Sequence, residues 1–218
     1  MDKIFQGNGF GRGADILDCA CGIGTQAIGL ARLGYQVTAS DISEGALGQA
    51  RKRANADVKI SFKRADFRDL SKTFEKQYDI VLAMDNALPH MLTEEDLKKA
   101  VESIVGQMRE KSIFVGSIRD YDALLQEKPS YAPPYIYQTE GAKRVSFQTW
   151  DWEGERYKLT QYIIEDGIAL SVSKFECAYR ATRREELTNL FSSCGCRSVT
   201  WLFPKETGFY QPIIVAMK

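Results

Sequence analysis

The sequence predicts an α/β fold, a parallel sheet with helices on both faces, and three observations predict it. Short apolar runs alternate with stretches of helical period from Ala14 to Ile118, the rhythm of parallel strands joined by crossover helices. The first run leads through a glycine-spaced turn, Asp18-Cys19-Ala20-Cys21-Gly22-Ile23-Gly24-Thr25, directly into a helical pattern. The run from Tyr78 to Met84 is rich in the apolar residues of a strand buried on both faces.

Taken in order, residues 14 to 19 read as the first strand, and Gln26 to Leu33 as a helix with Ala27, Leu30 and Ala31 on one face, stopped by Gly34. Val37 to Asp41 is the second strand, Ser43 caps a helix running to about Ala54, and Val58 to Ala65 is the third strand. After the fourth, Tyr78 to Met84, Thr93 opens a helix with Leu97, Val101, Ile104, Val105 and Met108 at helical spacing, before a fifth strand from Ser112 to Ile118. Then the rhythm changes. Pro129, Pro133 and Pro134 mark a loop, and residues 143 to 152, 156 to 164 and 168 to 179 read as three strands turned at Gly154 and Gly167, an antiparallel sheet inserted into a parallel scaffold. Thr182-Arg183-Arg184-Glu185 reads as the capping box of a last helix that stops near Gly195, followed by strands from Ser198 to Phe203 and Gln211 to Ala216. The division this predicts is a core of residues 1–120 and 181–218 with an insertion at 121–180.

Composition narrows the function. The 218 residues carry zero net charge, which argues against the basic footprint of a nucleic-acid binder. Five cysteines, an odd number, sit beside a cofactor-type turn rather than in a disulfide framework, and this points to a reducing, cytoplasmic setting. No apolar run reaches membrane-spanning length and no signal-peptide pattern opens the chain, so no membrane partner is expected. The pairs Cys19/Cys21 and Cys194/Cys196 are spaced too tightly for metal knuckles, which separate cysteines by roughly two to four residues, so no metal is expected. The single histidine leaves no Ser, His and Asp constellation for acyl transfer. Aromatic residues at 147, 150, 152 and 157 fit a half-buried antiparallel sheet better than base stacking.

The glycine turn has the chemistry of a nucleotide cradle. Gly22 and Gly24 let backbone approach a ligand, and the helix that follows presents free N–H groups to its polar atoms. Gly22-x-Gly24-x-x-Ala27 also fits the dinucleotide-binding fingerprint, with Asp41 arriving where a ribose-binding acid belongs.

This order of elements, with a terminal strand pair after the last helix, resembles the class I methyltransferases that use S-adenosylmethionine, over nearly the whole chain from Ala14 onward. Within them it is similar to glycine N-methyltransferase and its small-molecule N-methyltransferase relatives. Asp18 to Thr25 resembles their first motif, Asn86-Ala87-Leu88-Pro89-His90 their Asn…His loop after the fourth strand, and Arg119-Asp120-Tyr121-Asp122 their Arg-x-Tyr-Asp after the fifth. The resemblance implies a Rossmann-like sheet of seven mostly parallel strands with the last antiparallel, an inserted antiparallel sheet after strand 5, and S-adenosylmethionine as cofactor. It implies cofactor contacts at Asp18, Ala20, Gly22, Gly24, Asp41, Ile42, Asp66, Phe67 and Asp85. It also implies acceptor-side roles for Asn86, His90, Arg119 and Tyr121, with Tyr137 as a further pocket aromatic, and methyl transfer to a small polar molecule, an amine with or without a carboxylate.

Each assignment has a plainer rival. Asp41 could serve only as the first acid of the next helix, and Asp66, Arg68 and Asp69 as a solvated turn. His90 could cap the helix at Thr93, and Arg119 could pair with Asp120 or Asp122. Rival functions are O- or C-methylation, a nicotinamide-dependent oxidoreductase and a non-catalytic binding module. Few residues precede the first strand, where the family carries a longer lid, and the insertion at 121–180 is expected to cover the cleft instead. A missing leading segment or a partner subunit are the alternatives, and self-association is left open.

Overall fold

A computed structural model of the chain describes residues 1–54, 58–139 and 142–218. The principal sheet has seven strands: β1 (Asp15–Asp18), β2 (Gln36–Asp41), β3 (Ile60–Arg64), β4 (Tyr78–Ala83), β5 (Met108–Ser117), β10 (Ser198–Leu202) and β11 (Ile213–Met217). Their order is β10-β11-β5-β4-β1-β2-β3, and β11 alone runs against its neighbours. The reversed last strand is the feature that separates this sheet from a doubled dinucleotide-binding one. Connections run outward from β1 to β3 and then return to β4 on the other side of β1. The crevice at the carboxyl ends of β1 and β4 is therefore the topological switch point, where open α/β sheets take ligands.

Side chains alternate across the sheet and build a core on each face. Ile16, Ile80, Leu82, Ile113 and Val115 pack on one side with α2 (Thr25–Arg32) and α3 (Glu44–Ala54) through Leu30 and Leu47. Leu17, Val81, Ala83 and Phe114 pack on the other with α4 (Glu94–Gly106) and α6 (Arg184–Ser193) through Val101, Ile104 and Phe191. Thr93 caps α4 as expected, its Oγ1 accepting from Asp96 N at 3.1 Å. Met108 begins β5 rather than closing α4, because α4 ends at Gly106.

The sequence does not flag α1 (Asp2–Gly7), which is too short to show a period. It docks by burying Phe5 edge-on against Tyr35, ring centroids 5.5 Å apart, while Tyr35 donates to Asp2 at 2.7 Å.

The second sheet has four antiparallel strands: β6 (Tyr131–Thr139), β7 (Ala142–Glu153), β8 (Arg156–Asp166) and β9 (Leu170–Arg180). The proline segment expected as loop is thus a strand. It lies at the sheet edge, and its pairing with β7 shifts between Ala132 and Tyr135, at Pro133 and Pro134. Proline lacks a ladder donor, so an edge with a bulge is where a strand tolerates it. The capping box at Thr182 does not form. Thr182 is buried with its hydroxyl near Arg180 O, and Arg184 N instead faces Asp122 Oδ2 of α5 (Tyr121–Glu127) at 3.4 Å.

Candidate active site

A cavity of about 550 Å³ opens at the switch point, lined by the turn after β1, the ends of β2 and β4, and the segment from Ala65 to Arg68. Gly22 and Gly24 have φ of 52° and 81°, the left-handed region where glycine carries no penalty. A methyl group on Gly24 would lie 3.1 Å from Ala50 Cβ and from Ile28 Cδ1, whereas one on Gly22 would enter open space. Gly24 is required by packing between α2 and α3, and Gly22 borders the cavity. Gly24 is also the N-cap of α2 and supplies no side chain, which leaves first-turn N–H groups facing outward.

Asp41 has a second duty that its sequence position does not show. Its Oδ2 accepts from Gly22 N at 2.8 Å and its Oδ1 from Ser43 N at 2.9 Å, so the carboxylate pins the glycine turn to β2. Each oxygen keeps a lone pair for a vicinal diol. Asp18 is buried, with Oδ2 unpartnered and Oδ1 only 3.4 Å from Ala20 N. Burial pushes its pKa up to about 7, and Asp41 and Asp85 add to the rise. Asp18, Asp41, Asp66 and Asp85 all reach the cavity wall, which favours a cationic guest. Ile42 stands 56% exposed at the rim, with Phe67 also on the wall. Ala20, at the turn, lines the same space.

Asp66 is committed to Arg68, which donates to it through Nη2 at 2.6 Å, Nε at 3.0 and 3.1 Å, and the backbone N at 2.9 Å. Arg68 holds it below the usual carboxylate range. The solvated-turn reading therefore describes its carboxylate, although the residue does border the cavity.

Beyond β4 the backbone is strained: Asp85 and Asn86 take φ of 56° and 68° in succession, a conformation costly for residues other than glycine and common at functional sites. Asp85 N donates to Ser117 Oγ at 2.8 Å and Asn86 N to Ser117 O at 3.0 Å, which fixes the pair to β5. Asn86 is buried, its Oδ1 accepting from Arg119 N at 3.1 Å and Tyr121 Oη at 3.0 Å. Tyr121 is fully buried and Tyr137 lies opposite Arg144 near the far end of β6, so neither is on the cavity wall.

His90 borders the cavity, its ring tilted on Tyr179 at 4.3 Å. Thr93 caps α4, so His90 does not. Desolvation lowers the His90 pKa, a backbone bond to Ala178 opposing it.

Arg119 is the decisive side chain on this side. Its two sequence neighbours do not pair with it, because Arg184 bonds to Asp120 and lies 3.2 Å from Asp122. No carboxylate lies within ion-pair distance of Arg119 among the described residues. Instead its Nη1 donates to Tyr157 Oη at 2.6 Å and its Nη2 to Gln148 Oε1 at 3.3 Å, and the guanidinium lies 4.7 Å from the Trp150 ring centre and 5.3 Å from that of Tyr179. It stands one aromatic layer behind His90. The insertion thus reaches the cavity by way of Tyr179, and none of residues 121–180 lines it.

Trp150 and Tyr157 read from sequence only as aromatics of a half-buried sheet, and Tyr179 and Gln148 escape the sequence reading, as does Tyr210, whose hydroxyl donates to Asp85 Oδ1 at 3.0 Å. The signal for the first four is register: Trp152 pairs with Tyr157 and Tyr157 with Tyr179, which puts aromatics of three strands on one face. The buried thiols Cys19 and Cys21 are both pushed up by burial, so they persist as thiols rather than nucleophiles. The described residues contain no group of side chains suited to a metal, and no helix long and apolar enough to cross a membrane.

Residues 16–111 match the methyltransferase domain family. A glycine/sarcosine N-methyltransferase of Parasynechococcus marenigrum is 30% identical over 112 residues, 51% of this chain and 40% of the relative. One from Halorhodospira halochloris is 27% identical over 178 residues, 79% of this chain and 64% of the relative. The matches thus span about two fifths to two thirds of these relatives' length. Among solved structures, a sugar N-methyltransferase from a Streptoalloteichus species superposes with a TM-score of 0.81 at 13% identity, over 100% of this chain and 84% of that one. An amino pentose methyltransferase from Micromonospora echinaspora, solved with its S-adenosylmethionine bound, gives 0.78 at 16% identity over 94% and 83%.

Proposed function

Since the chain belongs to the class I S-adenosylmethionine-dependent methyltransferases, we propose that it methylates the nitrogen of a small amine that carries a carboxylate. The observation that carries the acceptor assignment is Arg119, a guanidinium with no carboxylate partner among the described residues, held in an aromatic box one layer behind the wall of an acid-lined cavity. A planar fork lacking an anion suits a carboxylate. With Asp66 neutralised by Arg68, the remaining acids of the wall, Asp18, Asp41 and Asp85, suit the cationic part of the cofactor.

The cavity residues fit the cofactor. When bound, S-adenosylmethionine supplies an electrophilic methyl group on a positively charged sulfur. Asp41 would hold the ribose diol on its two free lone pairs, and Gly22 would leave room for it. Ile42 and Phe67 would pack on the base, and Asp18 would present its unpartnered oxygen to an ammonium. Most of the acceleration comes from positioning, for which near-attack placement contributes about 7–11 kcal/mol at the favourable limit. The amine must arrive without its proton. His90, kept neutral by its lowered pKa, takes that proton on the ring nitrogen not bonded to Ala178.

A methyl-transfer assay following S-adenosylhomocysteine formation tests this with glycine, sarcosine and the corresponding amines without a carboxylate. Turnover restricted to the carboxylates, and weakened at least about tenfold in KM by Arg119→Lys, is expected. Equal use of both sets, indifferent to that substitution, would refute the carboxylate.

A further inference from the structure

The polar cluster behind the cavity wall has a direction that proton counting fixes. Arg119 has only donors, so Tyr157 Oη accepts from its Nη1 at 2.6 Å. Tyr121 Oη bonds to Asn86 Oδ1, an oxygen that can only accept, so the single phenolic proton of Tyr121 is used there. The hydroxyls of Tyr121 and Tyr157 lie 2.9 Å apart, and Tyr157 must therefore donate to Tyr121. Arg119 N closes the loop on the same Asn86 Oδ1. The run from Arg119 through Tyr157 and Tyr121 ends on Asn86 Oδ1, where the bond from Arg119 N also ends, so the ring has Arg119 as donor at both ends and Asn86 as its common acceptor, tying the end of β4 and the chain after β5 to α5 and β8.

The ring contains one charge and no counter-charge. Burial pushes both phenols up, Tyr157 against the opposing pull of Arg119, so Arg119 has no phenolate to neutralise it. Arg184 holds both nearby acids. Trp150 and Tyr179 flank the guanidinium with rings, which stabilise a cation without occupying its N–H edge.

We propose that Tyr157 is a positioning residue for Arg119: its hydroxyl, oriented by Tyr121 and Asn86, fixes the guanidinium so that the remaining N–H groups face an anionic group of the acceptor. The fixing stands on the ring alone. The acceptor's anion rests on the function proposed above.

Tyr157→Phe removes only the hydroxyl and keeps a ring that stacks with Trp150 and Tyr179 at 5.3 and 5.4 Å. Arginine side-chain NMR of the free protein reads the fixing directly. In the unsubstituted protein the Arg119 signals, identified by their loss in Arg119→Lys, should show hindered rotation about Nε–Cζ. In Tyr157→Phe they should average, with the thermal transition still cooperative. Averaging would uphold the assignment, and unchanged Arg119 signals would overturn it. A kinetic arm with sarcosine then tests the acceptor reading separately. Tyr157→Phe should raise KM about tenfold, close to 1.4 kcal/mol, with kcat within about twofold and S-adenosylhomocysteine affinity unchanged. Averaged signals with an unmoved sarcosine KM would keep Tyr157 as the positioning residue and remove the carboxylate acceptor.

Discussion

The two halves of the site are built by different means. The cofactor side runs from Asp18 to Asp41 in one unbroken strand, turn, helix and strand, and its key bond, Asp41 to Gly22 N, closes within that unit. The acceptor side draws Asn86, Arg119, Gln148, Tyr157 and Tyr179 from segments spread across both sheets. Geometry on the first side is set by local backbone conformation. On the second it depends on how the insertion seats on the core.

Asp41→Ala should separate the halves most sharply. It removes the proposed anchor of the diol together with two charge-assisted bonds, one from Gly22 N in the turn and one from Ser43 N after β2, each worth about 1.5–3 kcal/mol. S-adenosylhomocysteine affinity by calorimetry should fall at least about a hundredfold, while the Arg119 side-chain NMR signals stay in place. A comparable disturbance at Arg119 would show the halves to be one unit.

That difference also decided what could be read from the sequence. The glycine turn, the acid ending β2 and the succession of strands and helices up to β5 are legible because strand, turn and helix each have a local signature. Arg119 and Asn86 were visible only through their likeness to a family. What Arg119 touches was not visible at all, since Tyr157 is 38 residues away and meets it only because β8 lies between β7 and β9. β6 was hidden by Pro133 and Pro134, whose usual meaning as breakers is reversed at a sheet edge. The capping box at Thr182 failed because burial of Thr182 outweighed a local hydrogen bond.

Asp18→Asn probes the cofactor side by stability. The sign follows from a folded pKa raised to about 7: the charged form is disfavoured in the fold, so stability is lost as pH rises from the unfolded value through 7. The amide abolishes that loss. The free protein should gain about 1–3 kcal/mol in denaturant unfolding at pH 8 and little at pH 4, while its affinity for S-adenosylhomocysteine falls. A gain independent of pH would mean that the carboxyl is not the group responsible.

Arg184→Gln acts on the acceptor side from a distance. Without Arg184, Asp120 and Asp122 lose their cation, which leaves them free to draw Arg119, the immediate sequence neighbour of Asp120. A carboxylate acceptor should then show a KM raised about threefold to tenfold, reversed in part by the added change Asp120→Asn. The Tyr157→Phe effect should shrink in the same background, since an Arg119 already paired no longer depends on the phenol. Full additivity would place Arg184 outside the device.

His90 touches both halves, and the smallest effect is expected from the ring that covers it. Its ring borders the cavity and lies against Tyr179, and desolvation lowers its pKa while the Ala178 carbonyl opposes the change. The neutral ring is the form that accepts a proton, so activity should decline on the acid side only below the ordinary histidine range near 6.5. Tyr179→Ala takes away part of the ring's cover, and the acid limb of kcat/KM should move up towards that ordinary value by a fraction of a pH unit. His90→Gln should abolish the limb. If it persists unchanged in His90→Gln, proton acceptance belongs elsewhere, and Asp85, hydrogen-bonded to Tyr210 on the same wall, is the next group to substitute.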